Sequence, residues 1–247
     1  MSKIPNHIQI LRYVAEQGIV TVADVMSKFA RTGEGNAVRV SMNYTGISHH
    51  RYGKYKYGVW FVEDGDLFEL LRSYYPKLPR FKVKGKNLLV KVEHSLGLNH
   101  IRNILEQSDR IKIVHWWSEE VIRALSFRDR GCIDSYKVPD AVFWRERKDG
   151  SLQKFYLEYE RSLKTPIRYT RIFQYYAKRE DVKDKNVIYI CESDQIRDRL
   201  IKVEHQLVKG GRLKGVGLYF NFITLDEFNQ AYALNKRRSD HEINEMV

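Results

Sequence analysis

The segment that decides the fold is residues 138–160, VPDAVFWRERKDGSLQKFYLEYE. Two stretches rich in β-branched and aromatic residues flank the pair Asp149-Gly150, which is typical of the tight turn in a β-hairpin. We therefore predict two antiparallel strands, one within residues 135–147 and the other at residues 152–160.

Three acidic residues of this hairpin should meet at one end of it. Glu158 and Glu160 are two positions apart, so their side chains should project from one face of the strand, roughly 7 Å apart. The hairpin can bring Asp140 alongside them. Converging carboxylates repel one another unless a cation neutralises them, and oxygen ligands of this kind suit Mg²⁺ or Mn²⁺. Acidic residues on strands more often face solvent, so the spacing by itself is a weak indication.

Helices and strands alternate around the hairpin, which predicts an α/β (α+β) domain with a mixed sheet. The predicted order is αβββαβαβα. Its members outside the hairpin are a helix at 94–107, a strand at 111–117, a helix from Thr165-Pro166 to about Arg179, a strand at 186–192, a helix between Ser193 and Gly210, a strand at 216–223 and a last helix opened by Thr224 and Glu227.

The first eighty residues indicate a winged helix-turn-helix. Asn6 can cap a helix over about residues 7–16, Thr21 with Asp24 can start a second, and a third is predicted at 36–45. The alternating residues 51–62, RYGKYKYGVWFV, predict a hairpin wing. In that motif the third helix enters the major groove and cations of the wing contact phosphates. The predicted DNA-binding residues are Arg39, Asn43, Arg51, Lys54, Lys56, Lys82 and Lys84. The alternative is a small helical subdomain with a solvated basic face.

The charge of the chain favours a polyanionic partner, and we expect double-stranded DNA. The 247 residues include 43 Lys or Arg and 31 Asp or Glu, a net charge of +12, and residues 1–91 hold 15 of the basic and 7 of the acidic side chains. Cys132 and Cys191 are too few for a disulfide framework or a thiolate zinc site. Because no apolar run is long enough to span a bilayer and no signal peptide is evident, we expect a cytoplasmic protein without membrane insertion.

These patterns divide the chain into four predicted parts. Residues 1–80 form the winged-helix DNA-binding domain and residues 81–92 a basic connector. Residues 93–237 form the mixed-sheet domain, and residues 238–247 a flexible tail.

The order of elements, with PD followed by ExE, resembles the PD-(D/E)XK nuclease fold, a restriction-endonuclease-like architecture. Within that fold the whole chain is similar to the replication-relaxation group, which includes relaxases of the MOBC type. The matching stretches are Glu93-His94-Ser95-Leu96 with Asn99, Pro139-Asp140 and Leu157-Glu158-Tyr159-Glu160-Arg161.

The resemblance implies that Asp140, Glu158 and Glu160 bind Mg²⁺ or Mn²⁺ and are catalytic. Glu160 departs from the pattern, because most nucleases of this fold carry Lys there to orient the attacking water and stabilise the phosphate. Where the group usually has Lys and Tyr, this chain has Arg171 and Tyr175.

Arg171 can stabilise charge but cannot act as a base, because a guanidinium does not lose its proton. Lys154 and Lys164 are nearby substitutes for the missing lysine. His94 is a further catalytic candidate that could polarise a nucleophile or contact phosphate, although a histidine near a helix start is more often structural. The sixteen tyrosines identify no nucleophile by their number.

We therefore expect a metal-dependent DNA endonuclease of the relaxase type, which nicks one strand at the transfer origin of a plasmid or mobile element. The resemblance implies single-stranded DNA at the nick and a coupling ATPase or other relaxosome proteins as partners. Two alternatives stay open. One is a non-catalytic replication or regulatory protein that binds DNA on a degenerate nuclease fold, and the other is a hydrolytic restriction- or repair-like nuclease.

Overall fold

A computed structural model describes most of the chain, in nine segments. They are residues 4–29, 47–52, 55–62, 66–79, 88–108, 111–125, 137–178, 185–213 and 218–231. The predicted helix at 36–45 and the predicted tail at 238–247 lie outside them.

The chain divides into two compact units. The first comprises Met1–Asn103 and Trp117–Arg130, and the second comprises Ile104–Trp116 and Gly131–Val247. The division differs from the predicted boundary at residues 92 and 93.

The first unit combines helices with a small sheet. Its elements are α1 (Asn6–Gln17), β1 (Val20–Thr21), α2 (Val22–Phe29), β2 (Ile47–Tyr52), β3 (Tyr55–Val62), α3 (Asp66–Tyr74) and α5 (Glu119–Ala124). Two further elements, α4 (Leu88–Gln107) and β4 (Ile113–Ser118), contribute residues to both units. Because α4 begins at Leu88, the last residues of the predicted connector at 81–92 are helical.

The first unit contains a hairpin, but it begins at Ile47 and not at the predicted residue 51, because β2 lies mostly before the predicted stretch. Strands β2 and β3 are antiparallel, with Ile47 opposite Val62, and β1 adds a third strand at the other edge of β3. Buried apolar side chains of α1 and α3, among them Leu11 and Phe68, lie in the core of the unit. The finer assignment as a winged helix stays a prediction.

Local signals set the ends of the first helices. Gly18 ends α1 with φ 77°, a left-handed conformation that costs glycine little, and its N–H donates to the carbonyl of Val14. Asn6 is the first residue of α1 and Pro5 precedes it, so the predicted cap by Asn6 is wrong. At α2 the prediction is confirmed, because Thr21 and Asp24 exchange hydrogen bonds between side chain and backbone N–H at 2.8 and 3.1 Å.

The second unit is built on a five-stranded mixed sheet, as predicted. Besides β4, its elements are β5 (Ala141–Glu146), β6 (Leu152–Glu160), α6 (Pro166–Ala177), β7 (Lys185–Cys191), α7 (Asp194–Lys209), β8 (Leu218–Thr224) and a last helix, α8, at 225–231. The strand order is β4-β5-β6-β7-β8. Strands β5 and β6 are antiparallel, whereas β6, β7 and β8 run parallel. The predicted element order lacked α5, the short helix between β4 and β5.

Helix α6 covers the parallel part of the sheet with an aromatic face. Tyr169, Phe173 and Tyr176 recur at helical spacing and are fully buried. The ring centroids of Phe173 and Phe220 lie 4.4 Å apart, and those of Phe173 and Tyr189 lie 5.8 Å apart. This packing fixes the rotation of α6 about its axis, which decides which tyrosines reach the acidic residues of β6.

Candidate active site

Asp140 lies directly before β5 and is tied to the neighbouring strand. Its Oδ2 accepts a hydrogen bond of 2.8 Å from the backbone N–H of Tyr159. Ala141 is opposite Leu157 in the antiparallel ladder, so Asp140 comes next to Glu158. The two carboxylates interact, because the charge of Asp140 contributes to raising the pKa of Glu158.

Glu158 is 6% exposed and has both a cation and a hydroxyl at its carboxylate. Nζ of Lys137 lies 2.7 Å from Oε2, and the hydroxyl of Tyr176 donates to Oε1. Burial raises the pKa of Glu158 to about 7, against the opposing effects of Lys137 and of the hydrogen bond from Tyr176. A proton or a cation at this carboxylate therefore relieves an unfavourable buried charge.

Glu160 is also buried, at 5% exposure, and forms an ion pair with Nζ of Lys164. The backbone N–H of Lys164 in turn donates to the hydroxyl of Tyr169 at 3.1 Å. Tyr169 and Tyr176 lie on the same face of α6, so Glu158 and Glu160 share the helix-covered face of β6, as their spacing predicted. Lys164, one of the two lysines predicted to replace the lysine missing at position 160, therefore contacts the carboxylate of Glu160.

Tyr189 adds a polar group that the sequence did not reveal. It pairs with Glu158 in the parallel ladder of β6 and β7, and it is 1% exposed. Burial, together with the charges of Glu158, Glu160 and Asp140, raises the pKa of its hydroxyl well above the ordinary range. Within the described residues this hydroxyl has no hydrogen-bond partner, which is uncommon for a buried polar atom.

Two more residues of the site were missed by the sequence reasoning. Lys137 carries no signal other than its place three residues before Asp140. The resemblance pointed to Tyr175, whereas the structure places the hydroxyl of Tyr176 on Glu158. Tyr175 is half-buried with its ring 5.8 Å from that of Tyr176.

No preformed metal site is present in the described parts of the chain. Among those residues, no three His, Cys, Asp or Glu side chains are placed so that they could hold a metal ion together. Glu158 and Glu160 have lysine partners instead. Metal binding by Asp140, Glu158 and Glu160 therefore stays a prediction.

The remaining catalytic candidates lie apart from these contacts. Arg171 is exposed and sits roughly 200° around α6 from the buried Tyr169, since successive helical residues are about 100° apart. Lys154 places its ammonium group 5.0 Å from the ring centroid of Tyr156 and 5.5 Å from that of Trp144. His94 lies on α4 in the part assigned to the first unit and is half-buried.

The predicted DNA-binding side chains lie outside the part of the chain that the structure describes. Arg39, Asn43, Lys54, Lys82 and Lys84 lie outside the described residues. The backbone of Arg51 belongs to β2 and that of Lys56 to β3, but their side chains are outside the description too.

No helix in the described part of the chain combines the length and the apolar character that crossing a membrane requires.

Comparisons with models of known protein families, with curated proteins and with solved structures found no match.

Proposed function

We propose that this chain is a metal-dependent DNA endonuclease of the relaxase type, which nicks one strand at the transfer origin of a plasmid or mobile element. One observation carries the proposal. Asp140 and Glu158 are neighbours at the ends of two paired strands, and the buried hydroxyl of Tyr189 lies among their charges without a hydrogen-bond partner in the described residues. Clusters of ionisable groups with shifted pKa values are typical of functional sites.

The donor set at this position fits Mg²⁺ or Mn²⁺. Mg²⁺ is commonly held by one or two carboxylates together with substrate phosphates, so Asp140 and Glu158 are sufficient and Glu160 is not required as a ligand. The unsatisfied hydroxyl of Tyr189 leaves a polar position beside them. When bound, such an ion would help to activate the nucleophile and stabilise the charge of the phosphate.

Protein groups around the carboxylates hold them in place. The backbone N–H of Tyr159 orients Asp140, and the hydroxyl of Tyr176 orients Glu158. Most nucleases of the fold have a lysine at the position of Glu160. Here Lys164 forms an ion pair with Glu160, and its ammonium group can stabilise the charge of a phosphate in place of that lysine.

DNA binding is assigned to the first unit under this proposal. Residues 1–91, all of which belong to this unit, hold 15 basic and 7 acidic side chains and so carry +8 of the net charge of +12. The hairpin of β2 and β3 carries Arg51 and Lys56. As a winged helix, the unit would bind duplex near the transfer origin while the second unit acts on single-stranded DNA at the nick. Cytoplasmic relaxosome proteins or a coupling ATPase would be its partners.

A non-catalytic DNA-binding protein is the second candidate, and one observation favours it. Lys137 and Lys164 already neutralise Glu158 and Glu160, as expected where a metal site has decayed. Manganese binding separates the two candidates, because only an active site should bind Mn²⁺ in a manner that depends on Glu158.

The decisive experiment is nicking of supercoiled DNA that carries the element's transfer origin, with Mg²⁺ or Mn²⁺. The variant is Asp140→Asn, which keeps an oxygen that can accept the N–H of Tyr159. Asp149→Asn is the matched control, because Asp149 also accepts a backbone N–H, that of Ser151 at 2.9 Å, but lies on the exposed hairpin turn.

We expect open circles from the wild type and from Asp149→Asn, and at least a hundredfold fewer from Asp140→Asn. Equal nicking by all three proteins would refute the assigned site. Free ends on both strands would instead indicate the hydrolytic restriction- or repair-like nuclease. Intact supercoils with preserved duplex binding, also after relaxosome proteins are added, would support the non-catalytic candidate.

A further inference from the structure

We propose that Lys137 is an internal counter-ion of Glu158, which a divalent cation must displace and thereby release. This inference rests on the proposed metal site and deepens it, because it names the group with which the cation competes. Under this inference, the ammonium group of Lys137 is at Glu158 when no divalent cation is bound and turns away when one is bound.

Two hydrogen bonds hold the ammonium group of Lys137 at the site. Nζ donates to Oε2 of Glu158 at 2.7 Å and to the carbonyl oxygen of Val138 at 3.2 Å. Asp140 interacts with the same carboxylate. The ammonium group therefore lies at a carboxylate that also interacts with a second one, and a divalent cation there would be attracted by both charges.

The burial of the two partners decides which one can leave. The side chain of Glu158 is 7% exposed, whereas that of Lys137 is 21% exposed. Glu158 is further held by the hydroxyl of Tyr176 on its other oxygen. Lysine has a flexible four-carbon stem, so Lys137 can turn its ammonium group to solvent while Glu158 stays in place.

A requirement for stability does not by itself account for the ion pair. A buried pair of charges is commonly no more stabilising than apolar side chains of similar volume, because both charges lose their hydration. Lys137 also leaves the hydroxyl of Tyr189 without a hydrogen-bond partner within the described residues. A hydrated divalent cation offers both the charge for Glu158 and polar partners for Tyr189, which the ammonium group does not supply.

Release of Lys137 has a consequence for substrate binding. The freed ammonium group stays within the length of one side chain of Asp140 and Glu158. A phosphate that approaches the metal-bound site can then bind the ammonium group of Lys137, which was previously paired with Glu158. The exchange therefore links filling of the site to the appearance of a phosphate-binding group.

The test measures Mn²⁺ binding and the chemical reactivity of Lys137 in the same full-length protein. Acetylation by acetic anhydride is read out by mass spectrometry with and without saturating Mn²⁺, and binding is followed by electron paramagnetic resonance. We expect acetylation of Lys137 to rise about fivefold on Mn²⁺ binding, as an ion pair is broken. Lys112 is the internal control, because its ion pair with Glu146, at 2.6 Å, involves neither Asp140 nor Glu158.

Two variants complete the test. Glu158→Gln should raise acetylation of Lys137 by a similar factor without Mn²⁺ and remove the response to Mn²⁺. Lys137→Met keeps an unbranched side chain that is one atom shorter and removes the charge, so the variant should bind Mn²⁺ about tenfold more tightly.

The outcomes separate this inference from the proposed function. Glu158-dependent Mn²⁺ binding with unchanged acetylation of Lys137 would overturn the counter-ion role and leave the metal site standing. Binding by Lys137→Met alone would support the counter-ion role in its strongest form. Absence of Mn²⁺ binding in both the wild type and Lys137→Met would contradict the metal site and the inference together.

Discussion

The hydroxyl of Tyr176 on α6 donates a hydrogen bond to Oε1 of Glu158 on β6, and both residues are buried. A hydrogen bond to a buried charged group contributes about 1.5–3 kcal/mol, so Tyr176→Phe should lower the free energy of unfolding by about 2 kcal/mol. Urea denaturation measures the change. Tyr219→Phe is the matched control, because Tyr219 is 60% exposed and its variant should unfold like the wild type.

The pH dependence of stability should report Glu158 directly. Burial raises its pKa to about 7 in the folded state, above the ordinary value of 4.5, so the folded protein binds this proton more tightly than the unfolded chain does. The contribution of protonated Glu158 to the free energy of unfolding is therefore present in full below about pH 4.5, and it is lost as the pH rises to 7.

The measurement compares the wild type with Glu158→Gln in a chelating buffer, by denaturation at a series of pH values. The stability of the wild type relative to the variant should fall between about pH 4.5 and 7. A difference that stays constant over this interval, or grows with pH, would contradict the raised pKa.

The junction of β8 and α8 should depend on a reciprocal cap. The backbone N–H of Thr224 donates to Glu227 at 2.8 Å, and the N–H of Glu227 donates to the hydroxyl of Thr224 at 3.1 Å. Thr224→Ala should cost about 1 kcal/mol in thermal or urea unfolding. Ser193→Ala is the comparison, because Ser193 precedes α7 without a side-chain capping bond and its loss should cost far less.

Phe173 should be the most sensitive apolar position of α6. Its fully buried ring packs against Phe220, Phe222 and Tyr189, so Phe173→Ala should destabilise the protein by about 3–5 kcal/mol. Ile167→Ala on the same helix removes a side chain that is 67% exposed and should change stability by less than about 0.5 kcal/mol. Similar losses for both variants in calorimetry would show that the aromatic face is not the anchor of the helix.

Much of the second unit could be predicted because its signals act over a few residues. Strand β6 has the predicted bounds, and α6 begins after Thr165, whose side chain accepts from the N–H of Arg168. The missed helix α5 also had such a signal, because Ser118 caps it and two glutamates fill its first turn. The start of α4 was predicted wrongly. The basic residues before Glu93 indicated a connector, whereas the helix begins at Leu88.

The sequence by itself determined most elements of the second unit and the placement of Glu158 and Glu160 on one face of β6, because turn formation, capping and side-chain alternation are local. Only the tertiary structure decided the partners of those carboxylates. The rotation of α6 against the sheet selects Tyr176 over Tyr175, and the parallel register of β6 and β7 brings Tyr189 beside Glu158. Such choices depend on packing between residues far apart in the chain, which a local pattern does not contain.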